Sequence, residues 1–157
     1  MESRDKQILD LAMEAGKTLL DAGAEIFRAE ETIQRIAKAY GIEKCSAFVM
    51  STGIFLTAES KGEDIYAQVR HIPINSARLN RVAAVNQLSR EIVEGRYTVE
   101  EAWERLEAIK QMPGKKNITR ILASGVGSAS FCYVLGGGIW DAAAAFLSGF
   151  LPVSYTH

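Results

Sequence analysis

The residues best equipped for chemistry lie in the stretch GAEIFRAEETIQR, residues 23–35. At about 100° per residue, Glu25 and Glu30 fall on the two edges of an apolar stripe made by Ile26, Ala29, Ile33, Ile36 and Tyr40, while Arg28 lies toward the opposite side. Two carboxylates bordering a buried surface, with guanidinium groups at hand, suit a zwitterionic or anionic solute. On this reading Glu30 and Arg28 meet Arg70 or Asn86, and the group binds such a solute or couples its domain to a pore. A purely structural reading accounts for the same residues: Glu25 favours the helix N-terminus through the macrodipole, Glu31 pairs with Arg28 and Arg35, and Glu30 is rim. Asp141 carries the same ambiguity. It serves either as an N-cap at the outer interface or as an intramembrane carboxylate marking a solute or proton site.

Other chemistries find little support. The chain has no P-loop, no CxxC and no HExxH, and Gly136 to Gly138 lie inside an apolar run, not after a strand, so a nucleotide loop is not expected. His71 falls in a strand, where a structural imidazole is the commoner role, and a serine or cysteine hydrolase lacks an evident base. Cys45 and Cys132 are too far apart in sequence for a metal-ligand pattern or a disulfide framework and read as buried thiols. No catalytic residue, metal or cofactor is expected. A net charge of −1 gives no nucleic-acid footprint.

The elements that must position these residues follow from periodicity. Residues 5–22 place Ile8, Ala12, Ala15 and Leu19 at helical spacing, with Gly23 as terminator; residues 25–40 form a second helix closed by Gly41. Residues 44–51, 53–59 and 65–72 read as three antiparallel strands, joined by Ser51-Thr52-Gly53 and by a polar hairpin at 60–63. In the third strand Ile65, Ala67, Val69 and His71 share one face, and Tyr66, Gln68, Arg70 and Ile72 the other. Asn75 or Ser76 caps a third helix running to Val93, with Leu79, Val82, Ala83, Val85, Leu88, Ile92 and Val93 on a broad apolar face from which Asn86 and Ser89 project. Thr98-Val99-Glu100-Glu101 matches a capping box, and Val99, Ala102, Trp103, Leu106 and Ile109 form the inner stripe of a fourth helix ending near Met112.

Residues 1–112 are therefore expected to be an α+β domain of order helix-helix-three-stranded antiparallel sheet-helix-helix. Residues 113–152 are the start of an all-α membrane domain. A span over about 118–138 follows the cations Lys115, Lys116 and Arg120, and part of a second span covers about 141–152. The cationic flank and the lack of a secretory signal place the first domain in the cytoplasm. Ala123 with Gly127, and Gly125 with Ala129, have the spacing of close helix packing in a bundle. The tail 153–157, VSYTH, reads as translated transposase adapter, which would end the native sequence near Leu151 and cut the chain short inside its membrane part.

Gly23-Ala24-Glu25, Arg28, Glu30, Thr32, then Ser51-Thr52-Gly53-Ile54-Phe55, Asn75, Leu79, Val85-Asn86, Ser89 and Gly136 to Gly138 with Asp141 together resemble the threonine/serine exporter family, in order and spacing along nearly the whole chain. The resemblance implies an inner-membrane transporter of a bacterium or archaeon, with its N-terminal domain cytoplasmic. It implies export of small hydroxy amino acids (threonine or serine) or of dicarboxylates. Some relatives of that family work with a separate small membrane partner, and an oligomer in the lipid bilayer is expected. The competing class is a membrane-tethered hydrolase-like enzyme with its site in the cytoplasmic domain, for which a spaced nucleophile and base are missing. The substrate-binding or coupling residues expected are Glu25, Arg28, Glu30, Arg70, Asn86 and Asp141.

Overall fold

The computed structural model describes residues 3–60, 64–72, 77–113 and 117–149. The chain forms two compact units, Met1–Met112 and Pro113–His157.

In the first unit, α1 (Ser3–Asp21) and α2 (Ile26–Ala39) precede β1 (Lys44–Met50), β2 (Gly53–Ser60) and β3 (Asp64–His71), and α3 (Leu79–Val93) and α4 (Val99–Lys110) follow. The strands form one antiparallel sheet of order β1-β2-β3. Met50 pairs with Gly53 across the two-residue turn Ser51-Thr52, and Phe48, Phe55 and Val69 align in one cross-strand row. The sheet packs on α1 and α2, and α3 and α4 pack on the other side of those helices.

That layering makes α1 the central element. The sequence gives it a single apolar stripe, but Ile8, Leu9, Leu11, Met13 and Leu19 are all buried, because the sheet and three helices enclose it on several sides. Gly16 permits the closest approach: a Cβ there would lie 2.4 Å from Ile33 Cδ1 of α2. Thr18, buried in the same helix, donates to the Glu14 carbonyl at 2.7 Å, which satisfies its hydroxyl locally.

Each of α1, α2 and α3 stops at the expected glycine. Gly23 has φ +78°, its N–H reaches the Leu20 carbonyl at 2.9 Å and the next amide reaches Leu19 O at 2.9 Å, the paired bonds of a left-handed C-terminal cap. The capping box at Thr98 and Glu101 is present in both directions. The third helix departs from expectation. It begins at Leu79 with Arg78 at the N-cap position and no side-chain cap; Asn75 and Ser76 lie outside the described residues. Its buried face is also narrower, made by Val85, Leu88, Ser89 and Ile92, while Leu79 and Val93 face outward.

The second unit contains α5 (Asn117–Val134) and α6 (Ile139–Ser148). The expected span over 118–138 is a helix that ends at Val134, because Gly136 takes φ +89° and its amide and that of Gly137 close onto Tyr133 O and Cys132 O. The second helix starts at Ile139, two residues before the expected 141. Among the described residues no helix is long and apolar enough to cross a membrane. Asn117, Thr119, Arg120 and three serines dilute the apolar character of α5. Residues 150–157, with the expected end of the second span and the adapter-like tail, and Lys115 and Lys116 of the cationic flank, lie outside the described residues, as do 61–63 of the hairpin.

The two helices meet through small residues. A Cβ on Gly125 would lie 3.0 Å from the Phe146 ring, and one on Gly149 would lie 2.9 Å from Gly125 Cα and 2.8 Å from Ser128 Oγ. Gly125 is buried in that contact, whereas Ala123 and Gly127 of the companion small-residue pair are exposed. Phe131, Val134, Ile139, Trp140 and Leu147 are exposed around the hairpin.

Candidate functional site

The four helices of the first unit share two ends. At one end Tyr40, closing α2, donates toward the Tyr97 and Thr98 carbonyls between α3 and α4, each at 3.2 Å. The opposite end gathers the C-terminus of α1, the N-termini of α2 and α3 and the C-terminus of α4. There Arg78 N–H donates to Ala22 O at 2.8 Å. A Cβ on Gly23 would lie 3.1 Å from Ala77. Arg81 of α3 donates through Nε and Nη2 to the Met112 carbonyl at 3.3 and 2.8 Å. The place where the chain leaves the first unit is thus fixed beside the loop that carries Glu25.

Glu25 is the N-cap residue of α2, with φ −65° and ψ 142°, but its carboxylate does not cap the helix. It accepts instead from Arg28 Nε at 2.7 Å, on an exposed surface, and the Arg28 guanidinium lies 5.6 Å from the centre of the Phe27 ring. An exposed pair of this kind contributes at most about 1 kcal/mol, which leaves both groups available to a ligand. Glu30, one turn on, is half-buried and has no hydrogen bond or ion pair among the described residues.

The remaining nominated residues stand apart. Arg70 is exposed on β3, and Asn86 is half-buried on α3; neither bonds to Arg28 or Glu30, so the structure brings together Glu25 and Arg28 only. The expected pairing of Glu31 with both Arg28 and Arg35 is divided: Glu31 pairs with Arg35 and Glu25 with Arg28, each carboxylate lying about one turn N-terminal to its guanidinium, the favoured order along a helix. The buried polar group of α3 is Ser89, not Asn86; its hydroxyl accepts from Arg35 Nη1 at 3.2 Å and ties α3 to α2. Asp141, expected at the N-cap of the last helix, occupies N3 of α6. It accepts the Gly138 amide at 2.9 Å, a bond that holds the hairpin turn.

Arg81 and the polar group under the sheet were not singled out from sequence. Tyr66 donates to Asp10 Oδ1 at 3.0 Å and Gln68 Nε2 donates to the same oxygen at 3.3 Å, leaving Gln68 Oε1 buried without a partner among the described residues. Burial, then the bond to Asp10 and its charge, push the Tyr66 hydroxyl up to about 12. Only the placement of Tyr66 and Gln68 on one common face of β3 is legible in the sequence; their partner is 56 and 58 residues away. Cys45 is half-buried at the sheet end, and burial pushes its thiol up to about 11. It borders an open groove of about 370 Å³ between Lys44, Ser46, Thr57 and Glu59, with Lys44 and Glu59 paired at 2.9 Å. His71 is exposed on the outer sheet face.

The first unit is thus an α+β domain with an acidic and basic pair near its chain exit, followed in sequence by an apolar helical hairpin. The chain belongs to the family described as "Putative threonine/serine exporter", whose model matches residues 10–156. It is similar to the "Probable threonine/serine exporter" of Mycobacterium tuberculosis (strain ATCC 25618 / H37Rv), with 24% identity over 136 residues, which cover 86% of this chain and 26% of the relative. The chain thus spans about a quarter of the length of that curated relative. No solved structure matches it.

Proposed function

We propose that this sequence belongs to an inner-membrane exporter of small hydroxy amino acids, threonine and serine first, with dicarboxylates as the second substrate class. The observation that carries the reading is the family match over residues 10–156, and it favours a transporter over a tethered hydrolase. The hairpin of α5 and α6 supports it. Apolar side chains surround it while glycines carry the contact between its helices, a combination suited to lipid, where helices associate by close packing and not by shedding water. The first unit lies on the cytoplasmic side, and the hairpin joins a bundle completed by further helices of the same assembly, of a small membrane partner or of other copies. Arg28 is suited to the carboxylate of a zwitterion, and Glu25 and Glu30 to its ammonium group. Arg70 and Asn86 stand apart from that pair and act as separate coupling points.

The test is efflux of labelled threonine, serine and succinate from cells expressing the gene that carries this sequence, normalised to protein in the membrane fraction. Arg28→Ala and Glu30→Ala should each lower efflux at unchanged abundance. Export like the parent's by both variants would remove these residues from the site. Export of none of the three solutes by the parent would remove the transport reading itself.

A further inference from the structure

The end of the first unit at which the chain exits also carries three outward-facing apolar helix residues, two of them the most exposed of the unit's large apolar helix side chains. Phe27 is 60% exposed, Leu79 74% and Ile26 43%. The contacts of Arg78 with Ala22 and of Ala77 with Gly23 bring the two helix starts that bear these residues side by side. Burial against the core explains none of them, because each helix turns its inner stripe elsewhere: Ala29, Ile33 and Ile36 on α2, and Val85, Leu88 and Ile92 on α3. The charges at this end are distributed unevenly. Glu25 is neutralised by Arg28, and Asp21 faces Arg81, whereas Arg78 has no ion-pair partner among the described residues. What remains is an apolar patch flanked by the cation Arg78 and, one turn into α2, by the half-buried carboxylate of Glu30, next to the carbonyl of Met112 from which the chain runs on to the apolar hairpin.

We propose that this end of the domain docks on the headgroup layer of an anionic bilayer, with Phe27, Ile26 and Leu79 entering the interface and Arg78 meeting lipid phosphate. The inference rests on the reading that the second unit is membrane-embedded. The cation Arg78 at the start of α3 and the position of the chain exit select this surface over the other exposed apolar patch, Phe48, Phe55 and Val69. That row lies on the outer face of the sheet, with the layer of α1 and α2 between it and α3 and α4. Docking would present Glu25 and Arg28 at the membrane surface.

The experiment uses the full chain in nanodiscs of phosphatidylcholine with or without phosphatidylglycerol, after Cys45→Ser and Cys132→Ser. A single environment-sensitive fluorophore is placed at Phe27→Cys, Phe48→Cys or Val126→Cys. A nitroxide-bearing lipid should quench the label at 27 in anionic discs and leave the label at 48 unquenched. Adding Arg78→Ala should lower the docked-to-undocked ratio about fivefold in anionic discs and leave neutral discs unchanged. Quenching at 126 without quenching at 27 overturns the docking proposal and leaves the membrane reading in place. Absence of quenching at 126 overturns both. A label at 27 that is shielded from water yet untouched by the lipid nitroxide also overturns it, since protein then covers the patch.

Discussion

Gly16→Ala is the substitution on which the packing of the first unit turns. An added Cβ would sit 2.4 Å from Ile33 Cδ1 and 2.5 Å from Ile33 Cγ1, more than an ångström inside ordinary carbon contact. Ile33 is fully buried, and Ile54 Cδ1 stands 3.6 Å from the same point, so the side chain has no open space on that side into which to rotate. Overpacking of this severity costs about 3 kcal/mol, the upper part of the usual range. Alanine recovers about 1 kcal/mol of helix propensity over glycine. The net expectation is a loss of about 2 kcal/mol, read as a lowered urea midpoint at unchanged slope for the isolated 1–112 unit, whose core is self-contained. Ile33→Ala alone should cost about 2–5 kcal/mol by leaving a cavity. The double variant should lose at least about 1 kcal/mol less than the sum, because the new methyl enters the space that Ile33 vacates. A Gly16→Ala variant stabilised by about 1 kcal/mol, as at an exposed helix position, would refute the close contact of α1 and α2.

Glu14 should make stability depend on acid. Burial opposes its charge, but the bonds from Lys110 and Lys17 outweigh that and hold its carboxyl below the ordinary value. A lowered carboxyl pKa stabilises the fold above the unfolded value of about 4.3, and the contribution is lost as pH falls through the folded value. Glu14→Gln should therefore destabilise by about 1 kcal/mol at pH 7 and shift the midpoint little below pH 3, measured by thermal unfolding across pH. Cys45, with its thiol pushed up to about 11, should react with iodoacetamide at pH 8 far more slowly than a free cysteine peptide, and unfolding in urea should abolish the difference. Asp141→Asn retains a side-chain oxygen for the Gly138 amide and loses only the charge near the start of α6, a cost of about 0.3–1 kcal/mol. Normal abundance with near-normal efflux then marks a structural cap, while normal abundance with efflux abolished marks a solute or proton site.

Local chemistry alone was enough to place most of the first unit. Left-handed glycines need no tertiary partner to end a helix, so Gly23, Gly41 and Gly95 could be read directly, as could the capping box at Thr98 and the alternation that sets Tyr66, Gln68 and Ile72 on one face of β3; which face turns inward is decided by the helices beneath the sheet. The same local rule, applied at Gly136, would have ended α5 four residues sooner than the uncharged run suggested; hydropathy hid a turn that backbone conformation imposes. The family, too, was legible in residue order. Tertiary structure decided what depends on distant partners. Leu79 and Phe27 are as apolar as any core residue, but no element among the described residues covers them, and burial belongs to the neighbour as much as to the residue. Asn86 and Ser89 look alike in sequence, and only the reach of Arg35 from α2 makes Ser89 the buried polar tie. Arg28 had two carboxylates within a turn, and the structure pairs it with Glu25 while Glu31 goes to Arg35. Arg81 had no signal at all, because its partner is a backbone carbonyl 31 residues on, and a carbonyl carries no mark in the sequence of what will come to it.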